Sequence, residues 1–383
     1  MHVLLLPSWY ATQSNKVHGS FFKEQGEASH KYGIKVTVAF NEVWPITKIG
    51  RMKEKRGISF GKEGGLKTYR YKDFNYFPKN PLMFKSFNKR YDKLFKEVEK
   101  REGKINIIHA HSSFWAGIGG EYLSKKYNVP LVITEHSSLK YAKYAKESYK
   151  KYIVNSYKNA NKLIAVGEKL KNELEELSNR DDIEVINNIV NLDKFDLSKG
   201  ENSKEVFKFF SCGFLDEGKG FDVLIKAFSK VYKGKNAELR IGGEGEERCN
   251  LENLIDELEL QNQVKLLGSL SREEVSKEMK KCDSFVLASR HETFGVVYIE
   301  ALASGKPLIG TKNGGAEEII KPYNGVLVEV DNIDELSDAL IYMERNKDKF
   351  NSIKIRGKCM ELYSENKIIP KIINIYKELI WII

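Results

Sequence analysis

Cysteine is scarce in this chain, with four among 383 residues. Cys212, Cys249, Cys282 and Cys359 lie far apart and include no Cys-x-x-Cys pair, so they read as reduced, mostly buried thiols of a cytoplasmic protein. Long apolar runs are missing too. Nothing approaches the roughly 18 apolar residues that a membrane span needs. The opening MHVLLLPSWY has too short an apolar run for a signal peptide and lacks a basic segment before it. Contact with a membrane is therefore expected to be peripheral. The Gly-x-Gly-x-x-Gly fingerprint is absent, which counts against a nicotinamide enzyme. His, Cys and Asp residues nowhere fall at metal-ligand spacing, so neither a metal nor another cofactor is expected.

What is present is an ordinary globular composition, 41% hydrophobic and 11% aromatic, in a chain long enough for two or three domains with a core in each. Charge is unevenly shared. Residues 1–195 carry 35 Lys and Arg against 21 Asp and Glu, a net +14, whereas residues 196–383 carry 28 against 32, a net −4. A basic first half suits anionic lipid head groups, a lipid diphosphate or nucleic acid. A composition that places lysine on every solvated face accounts for the charge equally well.

Both halves read as alternating strands and helices. A buried strand at residues 3–6 leads through a loop to Gly19-Ser20, a helix over 21–32 closed by Gly33, and a strand at 35–40. Residues 41–101 show no strong period until Phe84 and mix Lys and Arg with Trp44, Tyr69, Tyr71, Phe74, Tyr76 and Phe77. That mixture fits a surface meeting a membrane or an acceptor, or aromatics pinning loops to a sheet, and packing is favoured. Strands at 105–111 and 130–134 deliver His111 and His136 at their C-terminal ends, the edge where open α/β sheets hold ligands. His109 and His111 are expected to face opposite ways, so that one of them reaches a ligand. A helix over 140–162 would put Tyr141, Tyr144 and Tyr152 on one face, flanked by lysines, as a candidate lipid contact. A strand at 163–166 and a helix at 168–177 follow, residues 184–189 end the first domain, and the polar stretch 191–205 reads as a linker. The second half opens with a strand at 207–212. Its strands at 237–241 and 264–267 run into glycine turns, and from 333 onward it is helical.

Residues 283–320, DSFVLASRHETFGVVYIEALASGKPLIGTKNGGAEEII, read as strand, loop, helix and strand, hence a parallel pair with a crossover helix. Glu292 and Glu300 are eight residues apart, about 12 Å along a helix axis, and cannot pair with each other. Between them Phe294-Gly295-Val296-Val297 offers free backbone N–H groups at a helix N-terminus, suited to phosphate oxygens, and Gly295 permits close approach. An anion site flanked by two carboxylates that can take hydroxyls has the shape of a nucleotide-sugar site. Lys219, in the glycine-rich loop 213–220 before another helix, suits a diphosphate as a point charge.

The string Glu292, Phe294, Gly295, Glu300, Ala301, Gly305, Pro307 resembles the signature of family 4 of the retaining glycosyltransferases, the glycosyl transferases group 1. The likeness spans nearly the whole chain and implies an α/β GT-B fold, two Rossmann-like parallel-sheet domains facing a central cleft. It implies an acceptor-binding domain over 1–195, a nucleotide-sugar domain over 196–365, and a C-terminal helix over 366–383 crossing back to the first domain. It implies donor contacts from Gly19 at the start of the first helix, from Lys219, from Leu270 near the base, and from Phe294, Gly295, Val296 and Val297. Glu292 is implied on the sugar hydroxyls and Glu300 on the ribose. His111 is implied near the donor sugar and acceptor hydroxyl, with His136 as a second acceptor-side histidine. His111, Lys219 and Glu292 form the expected catalytic set. Where the family usually has an Arg after the first glycine of the loop 213–220, this chain has Phe214, leaving Arg290 and Arg272 as candidates to compensate.

The protein so implied is a retaining hexosyltransferase that uses no metal; the Asp-x-Asp motif of metal-dependent sugar transferases is absent. It would move a sugar from a UDP- or GDP-type donor to a saccharide or lipid-linked saccharide in cell-envelope polysaccharide or glycoconjugate synthesis. It would work in the cytoplasm, in peripheral contact with an anionic membrane, with no nucleic-acid partner. Another GT-B enzyme, such as a sugar-nucleotide epimerase or a phosphorylase, would share the site. A nucleic-acid-binding protein, suggested by the basic half alone, is the more distant alternative.

Overall fold

The computed structural model describes residues 1–12, 17–142, 145–197 and 206–381. The chain divides into two compact units, Met1–Asn187 with Ile368–Ile383, and Asn188–Lys367.

The strands of the first unit are β1 (His2–Pro7), β2 (Lys35–Trp44), β3 (Gly57–Glu63), β4 (Leu66–Phe74), β5 (Ile107–His111), β6 (Leu131–Glu135), β7 (Lys162–Ala165) and β8 (Glu184–Val185). They form one sheet in the order β3-β4-β2-β1-β5-β6-β7-β8. Neighbours run parallel except β3 and β4, an antiparallel hairpin whose register brackets Gly64-Gly65. Its helices are α1 (Ser20–Lys31), α2 (Leu82–Glu102), α3 (Ile118–Tyr127), α4 (Glu147–Asn159) and α5 (Glu168–Ser178). Every position of β1, β5 and β6 is buried. Such strands are covered on both faces, which is why HVLLLP and LVITE carry an apolar run instead of an alternation. The buried stripe of α2, including Phe84, Phe87, Tyr91, Leu94, Phe95 and Val98, recurs at three- and four-residue spacing.

Several expectations change here. The stretch without a visible period holds the end of β2, the β3–β4 hairpin and the start of α2. Its aromatics divide: Trp44, Tyr69 and Phe74 are buried, whereas Tyr76 and Phe77 are exposed. The tyrosine-rich helix begins at Glu147, so Tyr141 precedes it. Ser138 Oγ and the Lys140 N–H both donate to Glu173, which holds that approach out of helical geometry. Tyr144 lies outside the described residues. Tyr149 and Tyr157 are buried and Tyr152 packs 4.9 Å from Phe84, so the helix carries Tyr152 against its own unit and does not carry Tyr141. Residues 184–189, expected to end the first domain, hold the short strand β8. Cys282 and Cys359 are buried as expected, but Cys249 is exposed.

The second unit carries β9 (Phe207–Cys212), β10 (Ala237–Gly242), β11 (Val264–Leu266), β12 (Ser284–Leu287), β13 (Leu308–Thr311) and β14 (Gly325–Val328). All pair parallel in the order β11-β10-β9-β12-β13-β14. Its helices are α6 (Phe221–Tyr232), α7 (Arg248–Glu257), α8 (Arg272–Lys281), α9 (Val296–Ala303), α10 (Ala316–Ile319), α11 (Ile333–Arg345) and α12 (Ser352–Tyr363). The last helix, α13 (Glu365–Trp381), belongs to the first unit from Ile368 onward, where the Tyr376 hydroxyl meets His109 Nδ1 at 2.5 Å. Ile382 and Ile383, the last two residues of the helix expected over 366–383, lie outside the described residues.

The division expected at 195/196 falls earlier because residues 188–195 pack with the second unit. The Val190 N–H donates to Tyr363 O at 3.0 Å, Arg356 donates to Phe195 O at 2.6 Å, and the Arg272 guanidinium lies 5.0 Å over the Phe195 ring. Of the expected linker, 198–205 lies outside the described residues. Among the described residues no helix is long and apolar enough to cross a membrane.

Candidate active site

Each sheet reverses its strand order beside its first strand. From β9 the chain moves outward through β10 and β11 and returns on the other side at β12; from β1 it moves to β2 and β4 and returns at β5. Loops that leave neighbouring strands in opposite directions open a crevice at the strands' C-terminal ends, where parallel sheets bind ligands. Gly19, His111, Lys219 and Glu292 stand on or beside these loops, whereas His136 follows β6, Leu270 follows β11 and Glu300 lies within α9.

In the second unit the loop after β9 carries Lys219 and the loop after β12 carries Glu292. They meet there: Lys219 Nζ donates to Glu292 Oε1 at 2.5 Å, and Ser289 Oγ donates to the same oxygen at 3.0 Å. Burial works against the Lys219 charge, but Glu292 and then Asp216 outweigh it and hold the ammonium pKa above its ordinary value. The Glu292 backbone is tied to the next strand's loop through a bridge to Gly314. Three residues on, Gly295 caps α9 with a left-handed φ of 87°, a conformation that glycine adopts without strain. No described side chain caps this end, so the first-turn N–H groups of Val296 and Val297 face outward. The Phe294 ring is buried and packs 5.8 Å from Tyr363, which leaves its backbone as the part that can meet a ligand.

Glu300 lies one helix turn deeper, with its side chain 1% exposed, and accepts a hydrogen bond from Arg272 at the start of α8. Cys212, at the end of β9, lies among these charges. Burial and then the Glu300 carboxylate push its thiol up to about 12, against the pull of Arg272 and Lys219. Leu270 is half-buried over Gly242, at the rim beside β10 and β11.

Neither arginine put forward to replace the missing one at Phe214 is free for that task. Arg290 is held by Asp222 through two contacts of 3.1 Å and by Asp331 at 2.8 Å, and Arg272 is committed to Glu300. Phe214 itself is 54% exposed. Among the residues named for anion binding, Lys219 is the cation that reaches the Glu292 carboxylate.

In the first unit, Gly19 precedes α1 with φ 69°, and a Cβ built there would lie 2.4 Å from Trp9 O. The loop therefore closes tightly on the helix start. Gly19→Ala is expected to cost the first unit about 1–3 kcal/mol through strain and clash. Urea unfolding followed by tryptophan fluorescence checks this, and an unchanged midpoint contradicts it. Phe22, one turn into α1, packs 5.0 Å from His111 and 4.9 Å from His136.

His111 and His136 share a hydrogen bond, Nδ1 to Nε2, of 3.1 Å. The expectation that His109 and His111 face opposite ways is overturned. Residues two apart on a strand project to the same face, and the two rings stack 4.4 Å apart. Burial pushes the His109 imidazole down to about 3; burial, His109 and His136 hold His111 well below its ordinary value, so both rings are neutral near pH 7. His109 is saturated by Tyr376 and by Thr134 Oγ1 at 2.8 Å, whereas His111 Nε2 is buried with no partner among the described residues. Hydrogen bonding, not facing, distinguishes the two.

Three residues hold these groups in place within their own units: Ser289 and Glu135, which the sequence did not single out, and Arg272, which it named only as a substitute for the missing arginine. Ser289 fixes Glu292, Arg272 fixes Glu300, and Glu135 accepts the N–H groups of Ser113, His136 and Ser137 and the Tyr157 hydroxyl at 2.8–3.0 Å. A carboxylate directly before a strand-end histidine was the available signal for Glu135. Burial raises its pKa against those four hydrogen bonds.

Two Rossmann-like parallel-sheet units, each with its candidate residues at a strand-order reversal, are the GT-B architecture of glycosyltransferases. Sucrose-phosphate synthase from Thermosynechococcus elongatus matches it with a TM-score of 0.81 at 19% identity over 99% of both chains. HepE of Anabaena, solved in complex with UDP-glucose, matches with a TM-score of 0.78 at 20% identity over 99% of this chain and 100% of that one. In sequence, residues 26–194 match Glycosyltransferase Family 4 and residues 193–360 match Glycosyl transferases group 1. An uncharacterised glycosyltransferase of Methanocaldococcus jannaschii is 32% identical over 292 residues, 75% of this chain and 79% of that protein. The chain belongs to the group 1 glycosyltransferases of family 4.

Proposed function

We propose that this glycosyltransferase takes a nucleoside-diphosphate sugar, of UDP type, and transfers its sugar with retention to a saccharide or lipid-linked saccharide acceptor. The reading places it in the synthesis of a cell-envelope polysaccharide or glycoconjugate, in peripheral contact with an anionic membrane. The observation that carries it is the Lys219–Glu292 pair beside the uncapped start of α9. A cation, outward N–H groups and a carboxylate together can serve a diphosphate and a sugar bonded to it. HepE, of the same architecture, binds UDP-glucose, which supports the choice of base.

In this mechanism the diphosphate draws Lys219 away from Glu292, and the ammonium and the Val296 and Val297 amides stabilise the charge of the departing phosphate. Glu292, released from Lys219, takes hydroxyls of the donor sugar, and Glu300 with Arg272 meets the ribose. His111 Nε2, buried without a partner among the described residues, is the ring nitrogen we assign to a hydroxyl of the sugar or acceptor. The acceptor attacks from the face that the phosphate leaves, and the phosphate takes its proton, which gives retention. The charge is met by this chain's own groups, with no metal assigned a step.

A thermal-shift screen against UDP-, GDP-, ADP- and dTDP-sugars without added metal tests the donor. UDP-sugars are expected to stabilise the protein by about 2.7 kcal/mol at a hundredfold excess over Kd, with the gain largely lost in Lys219→Ala. No response to any of the four nucleotides would overturn the reading.

A further inference from the structure

A cavity of about 540 Å³ lies in the first unit between α2, α3 and α4. Its floor is apolar, from Phe84, Ile118, Tyr122 and Tyr152, and the exposed Lys85, Lys125 and Lys151 stand around it. Leu82 is 47% exposed at the mouth, although it opens a helix whose neighbouring Met83 and Phe84 are buried. Asn88 Oδ1, also in the lining, is shielded from water and has no hydrogen-bond partner among the described residues. Three lysines face one acidic residue of the lining, Glu121, which accepts a hydrogen bond from Lys125 at 2.6 Å. Phe84 forms a shared wall, packing 6.2 Å from Phe114 and 6.1 Å from Trp115 in the segment that follows His111. The cavity thus adjoins the loop on which the acceptor-side histidine ends its strand.

We propose that this groove seats one anionic phospholipid of a membrane, its acyl chain along the floor and its phosphate among Lys85, Lys125 and Lys151. The inference rests on the reading above that the protein works in contact with an anionic membrane, and it assigns that contact a site. Each feature needs a different part of the ligand. The apolar floor has no use for a free sugar phosphate or inorganic anion, and the lysine rim has none for a neutral hydrocarbon. An anionic amphiphile meets both requirements, and a membrane presents it with the charge that attracts lysine.

Co-sedimentation of the full chain with phosphatidylglycerol vesicles, against phosphatidylcholine vesicles, tests it. Binding to the anionic vesicles alone is expected. Lys85→Ala with Lys151→Ala should weaken it by about twentyfold, and Leu82→Gln by about tenfold. Lys100→Ala with Lys104→Ala, at the far end of α2, removes the same charge and should leave binding within about twofold. Equal binding to both vesicle types, no binding to either, or unaltered binding by the Lys85/Lys151 and Leu82 variants overturns the proposal. If glycerol phosphate competes as well as phosphatidylglycerol does, the groove holds a head group without a chain, which also overturns it. The same variants should keep the UDP-sugar thermal shift. A lost shift in the unmodified protein with vesicle binding retained would sink the donor reading and leave the lipid site standing.

Discussion

Glu292→Ala is expected to lower turnover by about a thousandfold, the size of effect seen when a group aimed at the reacting centre is removed, while UDP affinity is kept or rises. The two effects part because Glu292 is bound on one side to a cation. Both of its side-chain contacts, from Lys219 and from Ser289, fall on Oε1. Deleting the carboxylate frees Lys219 for phosphate, so the nucleotide loses nothing, but the sugar loses its carboxylate partner. Turnover at saturating donor, together with calorimetric UDP binding and a circular dichroism spectrum, reads all three consequences. Glu292→Gln keeps the shape and loses the charge, and should fall between the two. Turnover of the alanine variant within tenfold of the parent would remove Glu292 from the catalytic role, and weaker UDP binding would remove the proposed competition for Lys219.

Arg272→Met is expected to cost the most in stability, about 3–5 kcal/mol, because it leaves a buried carboxylate without its cation. Glu300 shows 1% of its side chain to solvent, and Arg272 shows 15%. The guanidinium also covers the Phe195 ring, which joins residues 188–195 to the second unit. A loss of this size should lower the melting temperature by about 10 °C. Arg272→Met combined with Glu300→Met should recover most of it, since no lone charge then remains inside. A single variant that melts within 2 °C of the parent would show that Glu300 does not need this partner. A double variant no better than the single would show that Arg272 acts by packing.

The candidate site in the second unit was legible as a cluster because its parts are local. Glu292, Gly295 and Glu300 lie within one loop and helix, so their spacing fixes a helix start flanked by carboxylates before any tertiary contact forms. Gly19 and Lys219 precede helices in the same way. The stretch 41–101 was harder for the opposite reason. Its one clear mark was Gly64-Gly65 between ISFGKE and LKTYRY, two glycines between β-rich runs, which is a hairpin signal. Mixed lysines and aromatics masked it, since β3 is an edge strand with no buried position. The tyrosine helix failed at its start because Glu173, some thirty residues later, captures the approach. The two histidines were misassigned by counting: positions two apart share a strand face, and their hydrogen-bond partners set them apart instead.

The sequence by itself determined the alternation of strands and helices, the glycines that turn the chain into helix starts, and which carboxylates and lysine stand beside them. These follow from side-chain period and backbone preference, which act within a few residues. Only the tertiary structure decided the pairings: Lys219 with Glu292 across 73 residues, Arg272 with Glu300 across 28, and His111 with His136 across 25. Those depend on the order of strands in each sheet and on which charges are buried with it. An ion pair gains or loses its worth by the water removed around it, and that is a property of the packed fold.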